Sequence, residues 1–373
     1  MSRLRIIMNP GFSLYLDLLR ALAAIAVYIF HARHFSGKAV PFFGQFGGEA
    51  VIVFFVLSGL LISYARKKHE DIQDFMGARF ARLWSVCLPA LALTVISDTF
   101  GQYLSMGAYS PMQPYNWFKW AASLTANATF LNQIWNLNIY PGTNGPFWSL
   151  SFEFWYYAIF AAGVYLRGWR RVMCLLGLAL IAGPKILVGL PVWLLGAGVY
   201  QALRLLPKCG PRTGFSIWLI SLVLAFAFSY LHVHDFLTVN FPATAQRAAS
   251  QWFVNFWPAS YLIGLLVAAN IFGFFAFSEK AHWVLVKFTR PIRWAAAISF
   301  GLYLFHYPLM YLVKAALWSI GIVGGDLFVV LVYALPFIVS AYFASICERH
   351  KSYFLLWTKT MSVRFFHPNR SPR

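Results

Sequence analysis

The first long apolar run of the chain reads Leu16-Asp-Leu-Leu-Arg-Ala-Leu-Ala-Ala-Ile-Ala-Val-Tyr-Ile-Phe-His31. It lies within an apolar segment over residues 13–32, and about 20 residues is the length that a helix needs to cross a bilayer core of roughly 30 Å. Further segments have the same character, although some contain Gly or Pro, which membrane helices tolerate. They cover residues 48–65, 83–100, 146–166, 172–189, 191–206, 214–231, 254–277, 295–318 and 326–347. The sequence therefore predicts an all-α, polytopic transmembrane helix bundle of about ten spans.

The fifth and sixth predicted spans are short, and they are joined by Gly189-Leu-Pro191. Gly and Pro at a junction are compatible with a break between two helices and also with a kink in one. The sequence leaves both open: two helices, or one kinked or re-entrant hairpin.

The composition favours a membrane protein and argues against a nucleic-acid-binding protein. Of 373 residues, 60% are hydrophobic and 11% are charged, whereas soluble domains are about 45–50% apolar and about 25% charged. The formal net charge of +19 comes from short basic clusters between apolar runs, without a nucleic-acid recognition motif. We expect contact with membrane lipids and none with nucleic acid.

The distribution of Lys and Arg predicts the orientation in the membrane, because cytoplasmic loops are enriched in both. If both termini are cytoplasmic, the inner segments contain most of the 30 basic residues, and the outer loops contain only Arg33, Lys38, Lys119 and Arg247. We therefore expect cytoplasmic termini, a basic cytoplasmic tail over about 348–373, and one integral-membrane domain over residues 1–373. The expected location is the bacterial inner membrane.

Ionisable side chains inside predicted spans are costly, so each one is a candidate functional residue. Arg20 and His31 are eleven residues apart, which puts both on one helix face, about 16 Å apart along the axis. Asp17 precedes Arg20 by three positions and can pair with it. Arg20 can bind a phosphate or carboxylate, and His31 can move a proton near neutral pH. The alternative is that Arg20 reaches the inner headgroups and His31 only marks a helix end.

Two further polar residues interrupt predicted spans. Glu153, in the fourth, can orient His31, bind a substrate hydroxyl or make a structural hydrogen bond. His306, in the ninth, is expected to contact substrate or to have a structural role. The outer segment over 101–145 has no clear helical period and is either a lid or binding loop, or a cap on the headgroups.

Arg79 and Arg82 are three residues apart, so a helix would present both guanidinium groups on one face, as a site suited to phosphates. Ordinary cytoplasmic positive charge is the alternative, and it is the favoured explanation for the nearby Arg66-Lys-Lys68 run. The four cysteines have no metal-binding spacing, and we expect no metal.

Taken in order, these stretches resemble the acyltransferase-3 family of membrane O-acyltransferases across nearly the whole chain. The motifs are Leu16-Asp17-x-x-Arg20-x10-His31, Phe54-Phe-Val-Leu-Ser-Gly59-Leu-Leu-Ile62, Arg79-x-x-Arg82, Trp148-Ser-Leu-Ser-Phe-Glu153 and Tyr303-Leu-Phe-His306-Tyr-Pro308. The chain departs from the family pattern at Leu60, where Phe commonly follows Ser-Gly, and at Ser85, where Pro often follows the arginine motif.

The resemblance implies transfer of an acyl group, expected to be acetyl, from cytoplasmic acyl-CoA to a hydroxyl. The acceptor would be a glycan, a lipid-linked sugar or a small molecule at or beyond the membrane. By resemblance, Arg20 and His31 match the family's arginine–histidine pair, Arg79 and Arg82 its cytoplasmic arginine motif, and Glu153 its fourth-span acid. This implies catalytic roles for His31 and Glu153 and donor binding by the three arginines.

Other classes of protein also place ionisable groups inside a membrane. A proton-coupled transporter would use intramembrane His, Glu and Arg, but more often shows inverted repeats with broken helices, and no repeat is detectable here. A receptor or purely structural role explains the spans but not the clustering of His31, Glu153 and His306. For an acyltransferase, direct transfer and an acyl-enzyme intermediate both stay open.

Overall fold

The computed structural model describes residues 8–38, 46–109, 116–205, 209–233, 236 and 258–366. Over these ranges the chain is helical and contains no strand. The helices are α1 (Pro10–Ser36), α2 (Gly47–Ala65), α3 (Ile72–Leu104), α4 (Trp117–Ala128), α5 (Trp148–Tyr165), α6 (Gly168–Ala182), α7 (Pro184–Leu205), α8 (Pro211–Tyr230), α9 (Pro258–Leu285), α10 (Thr289–Ser319) and α11 (Gly325–Phe366). The all-α prediction is confirmed.

Within the described residues, seven helical segments are long and apolar enough to cross a membrane. One of them, Ala259–Ser319, covers both α9 and α10, which a 3-10 turn at Val286–Phe288 connects. The predicted spans at α5 and α6 are not among the seven. Helix α6 has only 15 residues, and the 18 residues of α5 include Glu153, two serines, two tryptophans and three tyrosines, which lower its mean hydropathy. A polytopic membrane bundle is therefore confirmed, whereas the count of ten and the location of the termini stay predictions.

The fifth and sixth predicted spans are two helices, but the junction predicted at Gly189-Leu-Pro191 is wrong. The break lies at Gly183, whose φ of +78° belongs to the left-handed region that favours glycine. Pro184 then begins α7, where its missing N–H costs no helical hydrogen bond. Pro191 lies inside α7.

Two helices extend well beyond their predicted spans. Helix α3 begins at Ile72, eleven positions before the predicted span, with the side chain of Asp71 accepting a 2.8 Å hydrogen bond from the Asp74 N–H as an N-cap. Helix α11 has 42 residues, which corresponds to about 63 Å, and it contains much of the predicted basic tail. The cytoplasmic position of that tail stays a prediction.

The segment over 101–145, predicted to face outside, contains a helix among its described residues that the sequence analysis did not predict. Helix α4 lies within it and begins after Asn116, whose side-chain oxygen accepts hydrogen bonds from the N–H groups of Phe118 (3.0 Å) and Lys119 (3.2 Å). Trp117 and Phe118, in its first turn, are strongly exposed. An Asn N-cap was the available sequence signal for this helix.

The chain divides into two compact units, and each is described by itself. Unit 1 contains Met1–Val27, Gln45–Lys67 and Leu187–Ala297, and unit 2 contains Tyr28–Gly44, Lys68–Ile186 and Ile298–Arg373. Helices α1, α7 and α10 contribute residues to both. The single-domain interpretation of the sequence stays a prediction.

Unit 1 is packed through small residues, as is usual for membrane helices. A side chain at Gly59 in α2 would overlap the Trp193 carbonyl in α7, and one at Gly196 in α7 would overlap the Val56 carbonyl in α2. The Trp193 indole N–H donates a 3.1 Å hydrogen bond to the Ser58 hydroxyl at the same crossing. The Ser-Gly pair in the second predicted span therefore serves close helix packing.

Candidate active site

Two histidines from distant parts of the sequence meet in unit 2. Nδ1 of His31, near the C-terminal end of α1, lies 2.8 Å from Nε2 of His306 in α10. The rings are stacked, with centroids 5.0 Å apart. His306 is 1% exposed, and its Nδ1 lies 2.9 Å from the backbone carbonyl of Leu302. His31 is half-buried. This histidine pair is the most clearly defined polar contact among the predicted site residues.

Aromatic rings surround the histidine pair. The Tyr28 ring lies 5.7 Å from His306, and the Tyr307 ring packs edge-on against His31 at 4.8 Å. The Tyr28 hydroxyl donates a 2.7 Å hydrogen bond to the Tyr333 carbonyl, which satisfies this buried group. The rings restrict how the two imidazoles can rotate and limit the access of water to them.

The turn of α10 that carries His306 is fixed by a hydrogen bond from outside the helix. Pro308 has no N–H, so the carbonyl of Leu304, four residues earlier, loses its usual helical partner. The side-chain amide of Asn144 donates to this carbonyl at 2.9 Å and to the Thr94 hydroxyl at 3.1 Å. Asn144 thus satisfies a backbone group that could not be left unpaired in a membrane interior.

The loop that carries Asn144 is itself held by a buried carboxylate. Asp98, near the end of α3, is 0% exposed and accepts hydrogen bonds from the Thr143 N–H (2.8 Å) and hydroxyl (2.6 Å). Gly142 precedes Thr143 with φ +54°, and a Cβ there would overlap the Asp98 carboxylate. Asp98 therefore positions the loop, and the loop positions the helical turn of His306.

Glu153, in α5, accepts a hydrogen bond from the hydroxyl of Tyr157, one turn later in the same helix. Both residues interact electrostatically with Arg79 of α3. Glu153 also interacts electrostatically with Tyr303, whose hydroxyl donates to the Pro146 carbonyl and accepts from the Ser149 hydroxyl, each at 3.0 Å.

These residues form a series within unit 2, from an arginine to the histidine pair. The Tyr303 ring lies 6.3 Å from the His306 ring, so each member is near the next. We call the series the polar column, and its members are Arg79, Tyr157, Glu153, Tyr303, His306 and His31. Two steps of the series, Tyr157 to Glu153 and His306 to His31, are hydrogen bonds. Polar side chains inside a membrane bundle commonly mark a substrate or ion pathway.

Arg79 and Arg82 share α3, as the sequence predicted, but differ in environment. Arg82 is exposed, and Arg79 is half-buried with its guanidinium over the Phe75 ring at 5.8 Å. Nε of Arg79 is buried and has no hydrogen-bond partner in the described part of the chain. A buried, unsatisfied guanidinium N–H is costly, and an anionic ligand would satisfy it.

Unit 1 contains the two remaining predicted site residues. Asp17 forms an ion pair with Arg293 at 3.4 Å and also interacts electrostatically with Arg20. Both Asp17 and Arg20 are half-buried. The sequence predicted the attraction between Asp17 and Arg20 but not the ion pair between Asp17 and Arg293.

Several residues of the site were missed in the sequence. Asp98 is an ionisable residue inside a predicted span, so the rule that selected His31 and Glu153 applies to it equally. Tyr157 and Asn144 carried no comparable signal, because a tyrosine is common in membrane helices and an Asn is common in loops. His34, one turn beyond His31, is exposed and bonds to the Phe30 carbonyl at 2.8 Å, outside the polar column.

Comparisons with known proteins agree with the resemblance noted in the sequence. An O-acetyl transferase of Shigella phage Sf6 is 28% identical over 201 residues, covering 48% of this chain and 56% of the phage protein. The peptidoglycan O-acetyltransferase OatA of Listeria monocytogenes is 24% identical over 339 residues, covering 81% of this chain and 50% of that protein. The chain therefore spans about half the length of these curated relatives. No solved structure matches it.

The family comparison covers most of the chain. Residues 13–347 match the family described as an acyltransferase domain, and this range includes every predicted site residue from Asp17 to His306. The chain belongs to the acyltransferase-3 family.

Proposed function

We propose that this chain transfers an acyl group, acetyl in the first instance, from acyl-CoA to a hydroxyl of a glycan, lipid-linked sugar or small molecule, with His31 as the general base. The observation that carries the proposal is the histidine pair, an imidazole in a membrane bundle with one ring nitrogen held at 2.8 Å by a second, buried imidazole. A general base needs a fixed orientation and a free lone pair, and this arrangement supplies the first.

The proposed reaction is a direct transfer. The acceptor hydroxyl oxygen attacks the thioester carbonyl, and His31 takes the hydroxyl proton as the C–O bond forms. The C–S bond then breaks, and the coenzyme A thiolate receives the proton from His31. His31 is thus neutral before and after each turnover, and no other reactant is consumed.

The donor is proposed to bind at the arginine end of the polar column. Coenzyme A carries phosphates at one end and its thioester at the end of a long, flexible arm. Arg82 is exposed and Arg79 has an unsatisfied buried Nε, so both can form charge-assisted hydrogen bonds with phosphate oxygens. The arm would follow the column towards His31, and Arg20 is proposed to assist donor binding.

Glu153 lies in the column with Tyr157 and near Tyr303. We propose that its carboxylate binds a polar group of the donor arm or the acceptor hydroxyl while Arg79 balances its charge. A hydroxyl acceptor is proposed because both relatives are named as O-acetyltransferases. A glycan acceptor is proposed because one of them is named a peptidoglycan O-acetyltransferase, and the bacterial inner membrane because that relative is bacterial and this chain has membrane-capable helices.

The test is transfer of labelled acetyl groups by inverted membrane vesicles from cells with and without the protein. Acetyl-CoA is supplied at the cytoplasmic face, and labelled glycans and lipids are separated and weighed by mass spectrometry. We expect label and a mass increase of one acetyl group only in vesicles that contain the protein. Proton-coupled solute uptake without any transfer of label would instead support the transporter alternative.

A further inference from the structure

We infer that His306 is the residue that orients His31, and that both imidazoles are held with the proton on Nδ1, which leaves Nε2 of His31 as the proton acceptor. The inference rests on the proposed function and deepens it. The sequence analysis offered the carboxylate of Glu153 as the group that orients His31. The structure instead favours the imidazole of His306 for this role.

The argument begins at the buried end of the pair. Nδ1 of His306 lies 2.9 Å from the Leu302 carbonyl oxygen, and a carbonyl can only accept a hydrogen bond. The contact therefore requires a proton on Nδ1 of His306. In a neutral imidazole the other nitrogen, Nε2, is then an acceptor. A ring that is 1% exposed and has no carboxylate bonded to it among the described residues is best kept neutral, because a buried unpaired charge is costly.

The second step follows from the first. Nε2 of His306 accepts, so Nδ1 of His31, 2.8 Å away, must donate. The proton of His31 is thus on Nδ1, and its Nε2 carries a lone pair. The single hydrogen-bond position of Nδ1 is occupied by His306, so Glu153 cannot orient the ring through that atom.

The arrangement has the logic of a catalytic triad, in which a buried acceptor fixes the tautomer of the histidine base. A neutral imidazole differs from the usual carboxylate, because it places no charge in the membrane interior before the reaction. When His31 takes the acceptor proton, its hydrogen bond to Nε2 of His306 becomes charge-assisted and strengthens. The hydrogen bond to His306 therefore stabilises His31 most in the transition state, and such differential stabilisation accelerates the reaction.

The surroundings make His306 a rigid partner. Its helical turn carries the Leu304 carbonyl that Asn144 satisfies at 2.9 Å, and Asp98 fixes the Asn144 loop. The Tyr28 ring lies against His306 at 5.7 Å. An orienting residue has to be held more firmly than the base that it orients, and this one is supported from a loop and from neighbouring helices.

The tautomers can be read directly by NMR. Protein labelled with 15N-histidine in lipid nanodiscs gives two-bond 1H–15N correlations that distinguish Nδ1–H from Nε2–H, and spectra of the His31→Gln and His306→Gln variants assign the two rings. We expect Nδ1–H in both, although free imidazole side chains favour Nε2–H. An Nε2–H tautomer at either residue would overturn the inference, whatever the protein catalyses.

Steady-state kinetics of His306 variants provide a second test of the orienting role. His306→Gln puts a carboxamide oxygen where Nε2 of His306 accepts, whereas His306→Phe keeps a ring without an acceptor. We expect His306→Phe to lower kcat at least about tenfold with an unchanged KM for acetyl-CoA, and His306→Gln to recover most of that loss. His34→Gln, on the exposed neighbour, is the matched control and should resemble the wild type.

Equal loss in the Phe and Gln variants, or no loss in either, would contradict the orienting role. A wild-type protein that binds acetyl-CoA and transfers nothing would count against the proposed function, and the NMR measurement would still decide the tautomers. The two failures are thus distinguishable.

Discussion

Arg79 and Arg82 differ in exposure although they are three residues apart on α3. An exposed arginine can meet the phosphates of a donor as it arrives, whereas a half-buried one with an unsatisfied Nε can hold a group that enters the bundle. Both roles concern binding rather than proton transfer, so their loss should appear in donor affinity.

Replacement of either Arg79 or Arg82 by Ala should weaken acetyl-CoA binding by about 10–100-fold, because a hydrogen bond to a charged group contributes about 1.5–3 kcal/mol. Isothermal titration calorimetry on the purified protein measures the change. Lys68→Ala is the matched control, since Lys68 is an exposed cation of the nearby 3-10 turn, and it should bind the donor normally. Normal binding in both arginine variants would rule out the phosphate site.

Arg79 and Glu153 interact electrostatically, so their contributions to donor binding should be coupled. Arg79→Ala and Glu153→Gln, alone and together, should be non-additive by at least about 0.5 kcal/mol in a double-mutant cycle on the dissociation constant. A cycle between Glu153 and the exposed His34 is the control and should be additive. Additivity in the first cycle would mean that Glu153 does not share the donor site.

At the scale of the element, α10 shows how a proline in a membrane helix can be compensated. Pro308 releases the Leu304 carbonyl, and Asn144 satisfies it from a loop. The proline therefore leaves a backbone carbonyl free to accept a hydrogen bond from the loop, in the helical turn that carries His306.

Asn144→Ala should lower stability by about 1–3 kcal/mol, the cost of an unsatisfied buried carbonyl. Pro308→Ala restores the missing N–H, so the double variant should recover much of that loss, while Pro308→Ala alone should change little. Thermal unfolding in detergent, followed by intrinsic tryptophan fluorescence, measures all three. If the double variant were as unstable as the sum of the singles, Asn144 would not act through the Leu304 carbonyl.

Most elements could be predicted, because a helix that crosses a bilayer needs a long apolar run and the runs are plain in the sequence. The break at Gly183 could not, since Gly183-Pro184 and Gly189-Leu-Pro191 carry the same breaker residues and only tertiary packing distinguishes them. The extension of α3 to Ile72 was missed because that part is polar, and hydropathy detects only the membrane portion of a helix.

Several residues of the candidate site could be identified from the sequence, but the contacts between them could not. His31, Glu153 and His306 stand out because ionisable groups are rare in spans. The partner of His31 is 275 positions away in sequence, and no local pattern indicates which of two polar residues will face it. Sequence reasoning therefore named Glu153 as a candidate orienting residue, and the structure brings His306 to that position.

At the scale of the whole molecule, the helices do not determine which side of the membrane each loop faces, so the predicted topology needs its own test. Lys119 is expected outside, and Lys68 and Lys287 inside. Arg247 and Lys208, predicted outside and inside respectively, lie outside the described residues. One cysteine at a time can be added at these five positions, in a background that keeps only the buried Cys87 and has Cys174, Cys209 and Cys347 replaced by Ser. Each variant is probed on intact cells with an impermeant thiol reagent.

We expect labelling at positions 119 and 247 and protection at 68, 208 and 287, with full labelling at all five after the membrane is opened. Labelling of 208 or 287 from outside would contradict the arrangement of ten spans with cytoplasmic termini. This arrangement matters for the proposed chemistry, because it would place the arginine end of the polar column towards the cytoplasm, where the proposed donor acyl-CoA is found.

The central claim, that His31 takes the acceptor proton, is tested most directly by acetyl transfer from labelled acetyl-CoA in vesicles containing wild-type protein, His31→Gln or His34→Gln. A general base contributes typically about 10²–10⁴-fold to rate, and Gln hydrogen-bonds without carrying the proton. We therefore predict that His31→Gln loses at least about 100-fold in transfer rate while acetyl-CoA binding and expression stay near normal, and that His34→Gln stays close to wild type. A His31→Gln variant that keeps most of its activity would contradict the account, and the base would then have to be sought at Glu153 or His306.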